Sequence, residues 1–176
     1  MTHTVVAYAS AHGSTRGIAE RIADVLRTDG HSVSVHSLAD ARDVADFDHL
    51  VVGSAIHDGQ WLPDAEPAAL QLATRATGRV WAFSVSSVGT TTSFLANWVA
   101  GRLRPHVPEP HAVTQLRANA DVRSHRFFAG AISPGDWPGF GRIVFRLMGG
   151  RYRDARDWND IDRWAQQISA ETASPD

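Results

Sequence analysis

The chain is predicted to be an α/β domain, a parallel sheet covered by helices on both faces. Three observations predict it. Short apolar runs alternate with segments whose apolar residues recur every three or four positions, the runs are apolar nearly throughout, and polar or small-residue loops follow them. Continuous apolar runs fit strands buried on both faces, and the alternation with helices calls for right-handed crossovers. Such a sheet binds ligands beyond the carboxyl ends of its strands, so the loops there are the first place to look for chemistry.

The first strand is Val5-Val6-Ala7-Tyr8-Ala9, and the loop 10–15 leads into a helix whose stripe is Ile18, Ala19, Ile22, Ala23, Val25 and Leu26. Gly30 closes that helix, and Val33, Val35 and Leu38 mark a second strand. Leu50-Val51-Val52-Gly53 is a third strand, followed by a polar loop through Trp61. Pro63 suits a helix start, with Ala65, Ala68, Ala69, Leu72 and Ala73 as the buried stripe. A fourth strand runs from Val80 to Val85 and a fifth from Phe127 to Ile132. The last helix, from about Asp157 to Ala170, carries Trp158, Ile161, Trp164, Ala165 and Ile168 on one face. Residues 89–125 are the least regular stretch, with a helix expected around 94–103 before Pro105, Pro108 and Pro110, and a connection that long is expected to be functional or mobile.

At 176 residues the chain fits one domain, 1–176, with 89–125 as an insertion. Its net charge of -2 lacks the footprint of a nucleic-acid binder, so no nucleic acid is expected as a partner. With no cysteine there is no disulfide, thiolate metal site or nucleophilic thiol, and redox chemistry would need a bound cofactor. All seventeen basic residues are arginine, which removes Schiff-base and P-loop lysine mechanisms. Neither a signal peptide nor a run long enough to span a membrane is read, and a cytoplasmic location is expected.

Ser10, Ser14 and Thr15 bring hydroxyls to the first loop, and Gly13 lets a ligand approach the unpaired N–H groups at the helix start. The loop has neither a P-loop nor a dinucleotide glycine pattern, so a single phosphate monoester fits best. An ordinary helix N-cap is the other reading of the same residues.

The run Tyr8-Ala9-Ser10-Ala11-His12-Gly13-Ser14-Thr15, followed by Ile18, Ala19 and Ile22, resembles the phosphate-loop signature of flavodoxins. The resemblance implies a three-layer sandwich with a five-stranded parallel sheet in the order 2-1-3-4-5, and FMN as cofactor. It places Ser10, His12, Gly13, Ser14 and Thr15 at the phosphate. It places Ser54, Ala55, Ile56, His57, Asp58, Gly59 and Trp61 on one side of the flavin, and Val85, Ser86, Ser87, Val88 and Gly89 on the other. Backbone N–H groups of 55–59 and 86–89 are the expected partners of the ring edge. Flavodoxins often supply an aromatic ring from each of these loops, whereas here Trp61 alone is available and the third loop has none before Phe94. That leaves room for a substrate over one flavin face.

A narrower resemblance, to the menaquinone-dependent protoporphyrinogen dehydrogenases, is carried by Val52-Gly53-Ser54-Ala55-Ile56-His57-Asp58-Gly59, Phe83-Ser84-Val85 and Phe128-Ala129-Gly130-Ala131-Ile132. It continues in Arg146-Leu147-Met148-Gly149-Gly150 and Asp157-Trp158-Asn159-Asp160-Ile161-Asp162. It implies dehydrogenation of a porphyrinogen with a quinone as acceptor, and peripheral contact with a membrane through the insertion at 89–125.

The chemistry needs a proton acceptor, for which His57 and Asp58 are the candidate catalytic residues; a solvent-exposed loop position is the other reading of His57. His12 either binds phosphate or lies on the surface. Phe94 and Trp137 are the candidate substrate contacts, and no metal site is expected. Residues 142–156 hold five arginines against one aspartate, while the first seventy residues hold ten acids against four arginines. The basic segment could meet a carboxylate-bearing substrate or anionic lipid, or be solvated while Ile143, Val144, Leu147 and Met148 pack on the sheet. A small-molecule substrate, a quinone and a second copy of the chain are the partners considered. Functions left open are an FMN-dependent dehydrogenase acting on a protoporphyrinogen-like or another polycyclic or aromatic compound, a flavodoxin-type electron carrier, and a flavin-free binding module.

Overall fold

The computed structural model describes residues 2–41, 44–93, 95–103, 106–131 and 154–173. In chain order the elements are β1 (His3–Ala9), α1 (Ser14–Thr28), β2 (Ser32–Ser37), β3 (His49–His57), β4 (Gln60–Trp61) and α2 (Ala65–Ala73). They continue as β5 (Val80–Ser86), α3 (Asn97–Leu103), α4 (His111–Asn119), β6 (Val122–Ala129) and α5 (Trp158–Ala173). The sheet runs β2-β1-β3-β5-β6 with every neighbouring pair parallel, and β4 pairs antiparallel with β3. This is the flavodoxin-like order expected from the sequence, with one short strand added.

Alternate residues of each central strand point to opposite faces, so the sheet has two cores. Val5, Leu50, Val52, Val80 and Ala82 pack with α2 and α4 on one face. Val6, Val51, Trp81 and Phe83 pack with α1 and α5 on the other. Ile18, Ala19, Ile22, Ala23 and Leu26 of α1 are buried, and Val25 at the margin of the stripe is half-buried. Past the end of α1, Gly30 turns the chain at φ 92°, with the Gly30 N–H reaching the Arg27 carbonyl and the His31 N–H that of Leu26. Trp164 of α5 fills the space between Phe83 and Phe128, with ring centroids 6.2 and 5.6 Å away. Trp158, expected on the same buried face, stays partly exposed and stacks on the Arg156 guanidinium at 4.4 Å.

Four expectations are corrected. The polar loop after the third strand is largely strand, because β3 continues to His57 and turns back at Asp58-Gly59 into β4. Asp58 and Gly59 have φ of 50° and 78°, the two left-handed positions that a tight two-residue hairpin requires. The last strand begins at Val122 and not at Phe127, since this is an edge strand whose polar residues find partners: Ser124 bonds the Trp164 indole and Arg126 bonds Asp160. Ile132, the last residue of the strand as expected, lies outside the described residues. Residues 89–125 are not one irregular connection, because they contain α3, α4 and the first residues of β6, and α4 is the crossover helix between β5 and β6. Finally, α5 continues three residues beyond the expected end.

Candidate functional site

A cavity of about 510 Å³ opens at the carboxyl ends of β1, β3 and β5. Its first wall is the β1–α1 loop. Ser10 Oγ accepts the Gly13 N–H at 2.9 Å, which folds the loop back on itself, and Gly13 enters the helix at φ 84°. A left-handed residue without a side chain at the N-cap means that no side chain caps α1, so the first-turn N–H groups are without intrahelical partners or a capping side chain. Thr15, in that first turn, is completely buried, and its Oγ1 has no hydrogen-bond partner. A buried hydroxyl left unpaired costs about 1–3 kcal/mol, so this atom marks a place for a ligand acceptor. Arg16 does not turn inward: it bonds Glu20 at 2.8 Å, which raises its pKa. Among the described residues no arginine lines the cavity, and an anion there would meet amides, hydroxyls and His12.

The second wall is the β3–β4 hairpin, through Ala55, Ile56, His57, Asp58, Gly59 and Leu62. Ser54 lies beneath this wall, fully buried, where its Oγ donates to the Ala55 carbonyl and accepts the Leu62 N–H at 3.1 Å. It holds the hairpin and does not line the cavity. Trp61, expected to offer its ring to the flavin, points the other way. Its side chain is buried on the α2/α4 face and its indole N–H donates to Ser84 Oγ at 2.8 Å. His57 and Asp58 stand at the rim, their side chains 75% and 93% exposed, with Nε2 and Oδ2 3.5 Å apart.

Val85, Ser86 and Ser87 form the third wall. Ser86 Oγ closes the following turn by donating to the Val88 carbonyl and accepting the Val88 N–H. Val88 is buried, and Gly89 packs so closely on β6 that a Cβ there would lie 2.2 Å from the Ala129 nitrogen. Neither Val88 nor Gly89 lines the cavity.

The cavity therefore gathers Ser10, His12, Ser14, Thr15, Ala55, Ile56, His57, Asp58, Gly59, Val85, Ser86 and Ser87 of the expected residues. Gly13, Ser54, Trp61, Val88 and Gly89 do not line it; Gly13 is exposed, and the other four are buried. Phe94, Trp137 and the basic segment up to residue 153 lie outside the described residues. Sequence reasoning missed Ala11, Leu62, Gly130 and Ala131, which complete the lining. The Ala131 N–H donates to Ser14 Oγ at 2.8 Å, and a Cβ on Gly130 would come within 2.8 Å of the same oxygen. The signal for Gly130 and Ala131 was the small-residue run Ala129-Gly130-Ala131 at the end of a strand, next to the first loop.

A second omission lies under the hairpin. The His125 side chain is 4% exposed, with Nε2 2.8 Å from Ser84 Oγ and Nδ1 3.2 Å from Glu109 Oε1. Burial pushes its pKa down to about 4, against the opposing pull of Glu109 and with a smaller downward push from Arg117. Among the described residues there is no group of three or more side chains that could hold a metal, and no helix is long and apolar enough to cross a membrane.

The orphaned Thr15 hydroxyl and the uncapped helix start are what a phosphate monoester needs, so the residues present fit FMN at this site.

Comparisons with known proteins agree with the architecture. Flavodoxin 2 from Bacillus cereus superposes with a TM-score of 0.60 at 19% identity, over 97% of this chain and 99% of that one. A flavodoxin from Fusobacterium nucleatum, solved bound to flavin mononucleotide, gives 0.53 at 14% identity, over 97% and 99%. The rubredoxin oxygen:oxidoreductase from Desulfovibrio gigas gives 0.56 at 17% identity over 99% of this chain, which spans only 38% of that larger protein. A search of curated proteins finds no match. The family model for the flavodoxin domain matches residues 5–147, and the chain belongs to the flavodoxin domain family.

Proposed function

We propose that this chain binds FMN and is an oxidoreductase that takes hydrogen from a reduced organic substrate of the protoporphyrinogen class and delivers it to a quinone or another acceptor. The observation that carries the FMN reading is the buried Thr15 hydroxyl, unpartnered in the first turn of α1 and beside the cavity. Ser10, His12, Ser14 and Thr15 would hold the phosphate, and backbone groups of 55–59 and 85–87 would hold the ring. Bound there, FMN supplies two-electron chemistry that the side chains lack.

The substrate gives up a hydride and a proton, and a quinone that takes up both becomes the quinol. His57, at the rim of the cavity with Nε2 3.5 Å from Asp58 Oδ2, would receive the proton. No Phe, Tyr or Trp among the described residues lines the cavity, which favours a ring face open to substrate.

Electron carriage is the second reading, favoured by the full-length likeness to flavodoxins and by the acidic first seventy residues, which suit docking of a basic partner. The test is to reduce the FMN-loaded protein photochemically and add quinones. Rapid reoxidation by quinone supports the dehydrogenase. Accumulation of a long-lived one-electron-reduced form that ignores quinones supports the carrier and overturns the leading reading.

A further inference from the structure

Three strands are linked under the hairpin by one line of polar contacts. Trp61 of β4 donates its indole N–H to Ser84 Oγ of β5 at 2.8 Å, and Ser84 Oγ lies 2.8 Å from His125 Nε2 of β6. An indole N–H can only donate, so Ser84 accepts from Trp61. A carboxylate can only accept, so His125 Nδ1 carries the ring proton toward Glu109 Oε1 at 3.2 Å, and Nε2 of the neutral ring accepts the Ser84 hydroxyl. Glu109 is in turn held by Arg117, whose Nη2 lies 3.2 Å away. The Phe127 ring packs on His125 with centroids 4.6 Å apart, which fixes the imidazole plane.

This line cannot relay protons to the cavity, because its inner end is an indole that accepts none. What it can do is fix a position. The residues on either side of Trp61, His57 to Gly59 and Leu62, form the cavity's second wall, while Trp61 itself faces away from the cavity. The outgoing arm of the hairpin is β3 itself, paired in the sheet up to Ala55 with Val85, so Trp61 is the side chain that fastens the return arm, β4. The return arm is also held by its pairing with β3, by the Leu62 N–H donating to Ser54 Oγ and by the His111 N–H donating to the Gln60 side-chain oxygen. None of these reaches the edge strand.

We propose that His125 is a positioning residue for the ring-binding part of the site: by orienting Ser84 and so Trp61, it holds the β3–β4 hairpin in the place that FMN requires. The proposal rests on the FMN reading above, and its test separates the two.

The variants are His125→Phe, which fills the space without an acceptor, Ser84→Ala, which removes the middle of the line, and His125→Gln, whose side-chain oxygen can take the place of Nε2. Hydrogen exchange of amides 57–62 is followed in the protein without FMN, and dissociation constants are measured for FMN and for inorganic phosphate. In the first two variants, exchange at the hairpin quickens about three- to tenfold and FMN binds about three- to tenfold more weakly, the worth of one hydrogen bond. Phosphate affinity stays unchanged, because the β1–α1 loop is a separate wall, and His125→Gln restores both hairpin values. If both variants leave hairpin exchange and FMN affinity within about twofold of the wild type, if exchange quickens equally throughout the chain, or if glutamine fails to rescue, the proposal is overturned. A wild-type protein that takes up no FMN refutes the proposed function instead, and hairpin exchange then decides the role of His125 alone.

Discussion

Replacing His125 with glutamine removes a titrating group from the interior while keeping an acceptor within reach of Ser84. The wild-type side chain is 4% exposed and its pKa is held down to about 4, mainly by burial; Glu109 opposes this and Arg117 adds to it. In the unfolded chain the same imidazole titrates near 6.5. Between these values the unfolded state binds a proton that the folded state refuses, so stability falls as the pH drops through this window and levels off below about 4. A gap of about 2.5 pH units at about 1.4 kcal/mol per unit is worth on the order of 3 kcal/mol. Urea unfolding of wild type and His125→Gln between about pH 7 and about pH 4.5 measures it, and titrations common to both proteins, such as those of Asp154 and Asp162, cancel in the difference. The wild type should lose stability faster, by more than about 1 kcal/mol per pH unit where the effect is steepest. Curves that stay parallel over the whole range would refute the assignment of a neutral, buried imidazole.

Other outcomes follow from single contacts. Thr15→Val removes the unpartnered hydroxyl, so the FMN-free protein should gain about 1 kcal/mol in urea unfolding, while FMN affinity should fall about tenfold in a fluorescence titration. Gly130→Ala puts a methyl group against Ser14 Oγ and Val85, and should cost about 1–3 kcal/mol in urea unfolding and weaken FMN binding as well. Trp164→Ala empties the space between Phe83 and Phe128 and should lower stability by about 3–5 kcal/mol in the same assay, with little change in the FMN affinity of the molecules that remain folded.

Most of the sheet was legible because its central strands are buried on both faces and their residues are apolar without interruption. The first loop was legible for a different reason: hydroxyls, a glycine and a helix stripe follow one another in the chain, so local sequence contains the whole feature. Where partners are distant the reading stopped. Nothing beside Gly130 and Ala131 says that Ser14, more than a hundred residues earlier, accepts the Ala131 N–H. The β6 strand was entered late because Ser124, His125 and Arg126 look like loop residues until Trp164, Ser84 and Asp160 are placed opposite them. Trp61 sits on a strand of two residues, too short to show an alternation from which its direction could be read. The hairpin is marked in the sequence by Asp58-Gly59, a strong two-residue turn signal with both residues at positive φ.

Titration of the flavin-free protein with FMN, followed by flavin fluorescence, goes directly to the question of what the β1–α1 loop is for. One FMN should bind per chain, more tightly than riboflavin, and Thr15→Val should shrink that preference for the phosphorylated form. Equal affinity for the two flavins, or no binding of either, would contradict a phosphate site at residues 10–15.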